Sequence, residues 1–164
     1  MSKALIRKYL PSPKKIKNLK PLRILGSSLN NPDLWKINRK SISSAAAIGL
    51  FSAYMPIPFE MLLASFLAWL FRGYLPLAIV LVWISNPFTW VLIYTPPYLF
   101  GSMILGNETI SLDQITSTSM SDQLISLWLG CLIFGSSIAG SGYALSRVVW
   151  RMMVIRRWHN RQHK

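Results

Sequence analysis

The stretch QLISLWLGCLIFGSSIAGSGYA, residues 123–144, contains no charged residue. An α-helix needs ~20 apolar residues to cross the hydrocarbon core of a bilayer, and this stretch meets that length. Arg147 and Arg151 follow it, and the aliphatic stems of arginine let the charged groups reach lipid headgroups from the end of a buried helix. The sequence therefore predicts a transmembrane helix over residues 123–146.

Small side chains occupy the second half of this predicted helix. Gly135 and Ala139, and likewise Ser136 and Gly140, have the spacing that places small residues on one helix face. Such a face lets two helix backbones approach closely inside a membrane. We therefore expect it to pack against another helix.

The basic residues lie mainly at the two ends of the chain. There are 18 Lys and Arg residues against 5 Asp and Glu residues, a formal charge of +13, and between Lys40 and Arg147 the only basic residue is Arg72. A nucleic-acid-binding domain would carry basic residues on its folded surface, so no specific nucleic-acid binding is expected. The expected partners of the basic ends are the anionic headgroups of membrane lipids.

Charge also predicts the orientation, because Lys and Arg in short flanking segments stay on the cytoplasmic side of a membrane. Residues 1–30 form a basic arm and residues 147–164 a basic tail, whereas residues 107–122 contain no Lys or Arg. We expect both termini to be cytoplasmic and residues 107–122 to form a loop on the opposite side.

Residues 31–106 form the remaining membrane domain and begin with a helix-start signal. Asn31 can act as the N-cap, and Pro32 suits the first helical position because its missing N–H needs no partner there. A helix is predicted over about 32–55. Pro56 and Pro58 then end it, since proline removes a backbone donor and disrupts the preceding turn.

Two further apolar runs follow this predicted helix. The run 59–71 is too short to span a bilayer, which takes ~20 residues. The run 74–105 is long enough, but Asn86-Pro87 near its middle removes backbone hydrogen bonds and predicts a broken helix.

If residues 123–146 cross once and both termini share a side, residues 42–105 must cross the membrane once or three times. Three crossings of ~20 residues each would leave almost nothing for turns. A re-entrant hairpin over 42–71, turning at Pro56 and Pro58, is favoured because it returns Arg72 to the cytoplasmic side.

The predicted fold is therefore an all-α integral membrane protein. It comprises a helical hairpin, re-entrant in the favoured alternative, a proline-broken membrane helix and one C-terminal transmembrane helix. Irregular backbone at membrane depth must be surrounded by protein or line a cavity. The helix breaks at Pro56, Pro58 and Pro87 should therefore face each other.

A few polar residues within these apolar runs are candidates for a site. Glu60 is the only acid between Asp33 and Glu108, and a charge buried in a membrane is costly and often functional. The candidate intramembrane site comprises Glu60, Arg72, Ser85, Asn86 and Thr89. In the alternative interpretation, Glu60 caps a helix, Arg72 belongs to a loop at the interface, and residues 85–89 are a satisfied kink.

The sequence offers little support for catalysis. Its two histidines, His159 and His163, lie in the basic tail, and Cys131 is the only cysteine, so neither a thiolate metal cluster nor an intrachain disulfide is expected. Paired carboxylates, phosphate loops and metalloprotease motifs are missing as well. We expect no enzyme activity, no metal and no cofactor.

Several short motifs between residues 30 and 106 form a pattern: Gly49-Leu50-Phe51 before Pro56-Ile57-Pro58, the segment 64–76 with Arg72-Gly73-Tyr74-Leu75-Pro76, Trp83-Ile84-Ser85-Asn86-Pro87-Phe88-Thr89, and Tyr98 with Gly101. This pattern resembles the bacterial family known as domain of unknown function 2062, with departures at Pro58 and Tyr74. The resemblance implies location in the bacterial inner membrane, which would make residues 107–122 a periplasmic loop.

Two classes of function remain open from these residues. The first is envelope-related transport or lipid handling, with the polar site enclosed by the two helix breaks. The second is a non-catalytic membrane adaptor or scaffold, in which the small-residue face of 123–144 binds a partner membrane protein or a second copy of the chain.

Overall fold

In a computed structural model, the described residues are Ile16, 31–106 and 120–162, with side chains over 121–155 in the last range. Over these residues the chain is helical and has no strand, so the all-α prediction is confirmed. A four-residue 3-10 helix, Pro32–Trp35, precedes five α-helices: α1 Arg39–Ala53, α2 Glu60–Leu70, α3 Leu75–Val82, α4 Trp90–Ile104 and α5 Met120–Gln162.

The predicted single helix over 32–55 is wrong at its start. The Asn31 side chain does accept a hydrogen bond from the Asp33 N–H, at 3.0 Å, but it caps only the 3-10 helix. The chain is extended at Lys36, and a second asparagine, Asn38, caps α1 by accepting from the Ser41 N–H at 2.6 Å. Two capping asparagines seven positions apart divide the segment, because each holds its own residue in a non-helical conformation.

Helices α1 and α2 form the predicted hairpin. Helix α1 ends at Ala53, residues 56–58 are non-helical, and α2 returns alongside α1. The end of the return lies beside the beginning of α1, because the Tyr74 N–H donates to the Ser41 carbonyl at 3.0 Å. Arg72 Nε accordingly lies 3.8 Å from Asp33 Oδ2. Arg72 and the basic residues near the start of α1 therefore share one end of the molecule.

The run 74–105 is broken as predicted. Helix α3 ends at Val82 and α4 begins at Trp90, with Asn86-Pro87 in the intervening turn. Pro96 and Pro97 remove two more backbone donors but lie inside a continuous α4. The break at Pro87 is therefore the one that separates two helices.

Helix α5 packs against α4 with its first half. Gly130 lies against the Pro97 carbonyl, and Gly101 of α4 lies against the Ser126 carbonyl, so close that a Cβ at either glycine would overlap the backbone opposite. The rings of Phe100 and Phe134 meet edge to face, with centroids 5.5 Å apart. The two glycine contacts, Pro97 with Gly130 and Gly101 with Ser126, show that α4 and α5 run antiparallel.

The second half of α5 packs against α1. A Cβ on Gly135 would lie 3.2 Å from the Cβ of Tyr54, and one on Gly142 would overlap the Leu50 side chain. The contacts along α5 therefore give the relative positions of α4 and α1. Helix α4 lies beside residues 126–134, the end of α1 lies beside residue 135, and the body of α1 lies beyond it.

The small-residue prediction is confirmed for one of its two pairs. Gly135 is buried against the end of α1, and Ala139 is half-buried. Ser136 and Gly140 are exposed, and a Cβ on Gly140 would meet nothing within 4 Å. The first pair serves the internal helix contact, and the second faces outward.

Small side chains fill the core, whereas large apolar ones lie outside. Ala45, Ala64, Ala68 and Ala78 are fully buried between α1, α2 and α3. Large exposed residues include Phe88, at 96 % exposed, as well as Trp83, Trp90, Val91, Leu92 and Met103. Large apolar side chains are therefore exposed in the loop between α3 and α4 and along α4.

Of the helices in the described ranges, α5 is the one long and apolar enough to cross a membrane, over Ser121–Ile155. Only 22 % of its most apolar window is buried inside the protein. A core helix of a soluble protein would be mostly buried, and α5 is not.

The glycine contacts give a stability prediction. Gly130→Ala is expected to lower the melting temperature in detergent markedly, because the methyl group would force α4 and α5 apart, and overpacking costs about 1–3 kcal/mol or more. Gly140→Ala is the matched control, and it should leave stability unchanged or raise it by up to ~1 kcal/mol through helix propensity. Equal melting temperatures for the two variants would contradict the close contact.

Candidate functional site

The two helix breaks face each other across a cleft of about 850 Å³. The α1–α2 turn forms one wall, through Pro56 to Glu60, and the α3–α4 turn forms the other, through Trp83 to Pro87. Leu127 of α5 also contributes. The lining is mainly apolar, and we call this feature the Glu60 cleft.

Glu60 lies at the start of α2 and is half-buried in this cleft. The Ser85 hydroxyl, from the opposite turn, donates to its Oε2. The Tyr94 hydroxyl, from α4, lies 3.3 Å from its Oε1. The structure thus brings Glu60 and Ser85 together. The two donors lie on the two sides of the break at Pro87, because Ser85 precedes it and Tyr94 follows it in α4.

Tyr94 is a site residue that sequence reasoning missed. Its hydroxyl lies 3.3 Å from the carbonyl oxygens of Ala53 and Met55 as well as from Glu60. The Ala53 carbonyl is at the end of α1, where an α-helix leaves carbonyls without intrahelical partners. The Met55 carbonyl, in the turn that follows, also accepts from the Ile57 N–H at 2.8 Å. Tyrosines in an apolar chain are ordinarily assigned to the membrane interface, so composition carried no signal for this role.

The hydroxyls allow Glu60 to be satisfied in either protonation state. Each hydroxyl has one proton and can accept as well as donate. When Glu60 is ionised, Ser85 and Tyr94 can both donate to it. When Glu60 is protonated, it can donate to one hydroxyl, whose own proton can turn to a nearby carbonyl, such as that of Val82, 2.7 Å from Ser85 Oγ.

Asn86 and Thr89 close the turn between α3 and α4. Asn86 Oδ1 accepts from the N–H groups of Phe88, at 3.0 Å, and Thr89, at 3.2 Å. Thr89 Oγ1 accepts from the Asn86 N–H at 3.0 Å and lies 2.6 Å from the Ile84 carbonyl, to which it can donate. Of the two interpretations, the satisfied kink is the arrangement found, and it shapes the wall on which Ser85 lies.

Arg72 is not part of the Glu60 cleft. It lies beyond the C-terminal end of α2, whereas Glu60 begins that helix, and the 11 residues of α2 place the two ends ~16 Å apart. Its side chain is exposed and lies beside Asp33. The prediction that grouped Arg72 with Glu60 is therefore not matched by the geometry.

The cleft chemistry depends on one carboxyl group and two hydroxyls. Within the described ranges no three His, Cys, Asp or Glu residues lie close enough to hold a metal ion together. Cys131 is buried within α5. His163 lies outside the described residues, as does the side chain of His159.

The closed turn predicts the effect of Asn86→Ala. Removing an asparagine side chain that accepts from a helix start costs about 0.5–2 kcal/mol. We expect a lower melting temperature in detergent, partly restored in Asn86→Asp, whose carboxylate can accept the same two hydrogen bonds. Phe88→Ala is the control, because its side chain is almost fully exposed. A melting temperature for Asn86→Ala no lower than that of the control would contradict the role of the Asn86 side chain in closing the turn.

The family comparison covers most of the chain. No curated protein and no solved structure is a match. The family model described as "Uncharacterized protein conserved in bacteria (DUF2062)" matches residues 22–159, which include both helix breaks, the Glu60 cleft and most of α5. The match extends past residue 106, where the motif resemblance ended. The chain belongs to this DUF2062 family of bacterial proteins.

Proposed function

We propose that this protein is a non-catalytic, multi-pass protein of the bacterial inner membrane that binds a membrane amphiphile in the Glu60 cleft. Its role would be lipid handling or transport in the cell envelope. The observation that carries the proposal is a single carboxyl group, held by two hydroxyls, inside an otherwise apolar cleft between two broken helices.

The charges at the ends of α5 support membrane insertion. At about 1.5 Å per residue, the helix rises ~38 Å between Asp122 and Arg147, enough to cross a hydrocarbon core of ~30 Å. The body of α1 packs beside the same half of α5 that leads to Arg147. Arg39, Lys40 and Arg72 therefore lie towards the basic end of α5, which we assign to the cytoplasm.

Height along α5 also supports the re-entrant hairpin. The turn that follows α1 contacts Gly135, near the middle of the predicted span 123–146. An α1–α2 hairpin that starts at the basic end of α5 and turns beside Gly135 would reach the middle of the membrane and return. Helices α3 and α4 would then cross once between them, with their break at the same depth as the hairpin turn.

The Glu60 cleft favours a particular ligand chemistry. Among the described residues, its lining contains no Lys or Arg, so an anionic headgroup would face the carboxylate without a counter-charge from them. A carboxylate has about four lone-pair directions, and Ser85 and Tyr94 use two of them. A headgroup that donates hydrogen bonds, such as a hydroxyl or ammonium group, can use the others. Exposed Phe59, Trp83 and Trp90 at the rim leave room for an acyl chain to enter from the lipid.

Three ligands with the same oleyl chain test this proposal: oleylamine, oleyl alcohol and oleate. Native mass spectrometry of the purified protein in a neutral detergent measures their binding. We expect oleylamine and oleyl alcohol to bind at least about tenfold more tightly than oleate, a difference of ~1.4 kcal/mol. Glu60→Gln should weaken oleylamine binding and remove the discrimination against oleate, because the amide is uncharged.

Ser137→Ala serves as the control, because it removes a hydroxyl from an exposed face of α5 that does not line the cleft. Its ligand preferences should equal those of the wild type. Equal binding of all three ligands by the wild-type protein would overturn the proposal. So would an unchanged pattern in Glu60→Gln.

A second candidate function is the membrane adaptor. The observation that favours it is the outward-facing pair Ser136 and Gly140, since a Cβ on Gly140 would meet nothing within 4 Å. A partner helix could approach closely at that face. Disulfide cross-linking of a Gly140→Cys, Cys131→Ala variant in membranes would detect a second copy there, and an unvarying monomer would count against self-association.

A further inference from the structure

A second, smaller cleft lies at the opposite end of the α1–α2 hairpin. Its volume is about 300 Å³, and it lies between the segment that leads into α1 and the turn that follows α2. The charged residues that line it are Asp33, Lys36, Lys40 and Arg72. We call this feature the basic cleft. It shares no residue with the Glu60 cleft.

The basic cleft carries three positive charges and one negative charge. Asp33 pairs with Lys36 at 2.8 Å and lies 3.8 Å from Arg72. The hydrogen bond and charge of Lys36, with a smaller contribution from Arg72, lower the pKa of the Asp33 carboxyl, so it is ionised at neutral pH. Lys40 has no ion-pair partner within the described part of the chain. The cleft therefore has a net positive charge that one carboxylate does not neutralise.

A buried hydroxyl in the wall of this cleft has no hydrogen-bond partner in the part of the chain that the structure describes. Ser41 is 3 % exposed, and its Oγ makes no hydrogen bond with the rest of the described protein. Buried polar atoms are almost always hydrogen-bonded, so an exception calls for an explanation such as a ligand. Ser41 also lies in the first turn of α1, the helix end that favours negative charge.

The backbone at Arg72 is unusual as well. Its φ is 53°, in the left-handed region that residues with a Cβ seldom adopt, and glycine follows it rather than occupying the position. The turn brings the guanidinium group to the cleft and to Asp33. A guanidinium group can bind two phosphate oxygens at once, which an ammonium group cannot match.

We propose that the basic cleft binds a phosphate group. Arg72 and Lys40 would hold its oxygens, the Ser41 hydroxyl would donate a further hydrogen bond, and the Asp33 carboxylate would keep Lys36 and Arg72 in position from the side. The phosphate could belong to an anionic membrane lipid or to a soluble phosphate compound. The proposal is independent of the ligand in the Glu60 cleft.

Two lipids that differ only in the phosphate test the proposal: dioleoyl phosphatidic acid and dioleoylglycerol. Binding of each to the full-length protein in a neutral detergent is measured by native mass spectrometry, and binding of inorganic phosphate by titration calorimetry. We expect phosphatidic acid, inorganic phosphate or both to bind, and dioleoylglycerol to bind much more weakly than phosphatidic acid. Preference for phosphatidic acid with no binding of inorganic phosphate identifies a lipid source, and binding of inorganic phosphate without that preference identifies a soluble one.

Two double variants remove the same amount of charge. Lys40→Gln/Arg72→Gln changes the cleft, and Arg147→Gln/Arg151→Gln changes two arginines of α5 that do not line it. We expect about a tenfold or greater loss of phosphate binding in the first and little change in the second, because charge-assisted hydrogen bonds are lost only in the first. Equal losses in both would show attraction by net charge alone and overturn the proposal, as would failure of phosphatidic acid and inorganic phosphate to bind the wild type.

Ser41→Ala separates a ligand contact from a structural role. Because the hydroxyl has no partner among the described residues, its removal should leave the melting temperature equal or higher. Phosphate affinity should nevertheless fall severalfold, since a donor to a phosphate oxygen is lost. Unchanged phosphate affinity in this variant would contradict a hydrogen bond from the Ser41 hydroxyl to the phosphate.

Discussion

The hydroxyl group of Tyr94, in the helix that follows the second break, contacts the turn at the first. The constraint behind this contact is that buried polar groups at a helix break need hydrogen-bond partners. Backbone carbonyls at the end of a helix must find partners, and inside a membrane water cannot supply them. The carbonyl of Ala53, at the end of α1, lies 3.3 Å from that hydroxyl. The carbonyl of Met55 and Glu60 Oε1 lie at the same distance, and the Met55 carbonyl also accepts from the Ile57 N–H. Across the cleft, Asn86 and Thr89 satisfy the backbone around Pro87 by themselves. Each break is therefore closed by polar groups of the protein.

This arrangement constrains where the helices can lie. Tyr94 of α4 can reach the α1–α2 turn because α4 and the end of α1 pack on neighbouring parts of α5. Contacts at Gly101 and Gly130 hold α4 close to α5, and the contact at Gly135 holds the end of α1 close to it. The alanine-filled contacts between α1, α2 and α3 act in the same way. Small residues therefore set the packing, the packing aligns the breaks, and the aligned breaks enclose Glu60. The two clefts lie at opposite ends of one hairpin, with a carboxyl group at one end and a cluster of basic residues at the other.

Several elements could be predicted from the sequence because their signals are local. Proline at 56, 58 and 87 marks breaks whatever the tertiary contacts, and the uncharged run 123–144 fixes a long helix. The start of α1 was misplaced because Asn31 and Asn38 are both good N-caps and nothing local ranks them. The contact between Glu60 and Ser85 could be predicted because the two breaks were expected to face each other. The contact of Tyr94 with Glu60 and the distance of Arg72 from the Glu60 cleft depend on how α4 and α2 are placed. Those placements come from glycine and alanine contacts between distant residues.

Cysteine accessibility in intact cells distinguishes a re-entrant α1–α2 hairpin from one that crosses the whole membrane. On a Cys131→Ala background, single cysteines replace Lys20, Phe71 and Ile115, and a membrane-impermeant maleimide is added from outside. Phe71 is chosen because its side chain is exposed at the end of α2. If the hairpin is re-entrant, position 115 alone is labelled from outside, and positions 20 and 71 are labelled only after the membrane is permeabilised. Labelling of position 71 from outside at a rate close to that of 115 would show that the hairpin crosses the membrane completely.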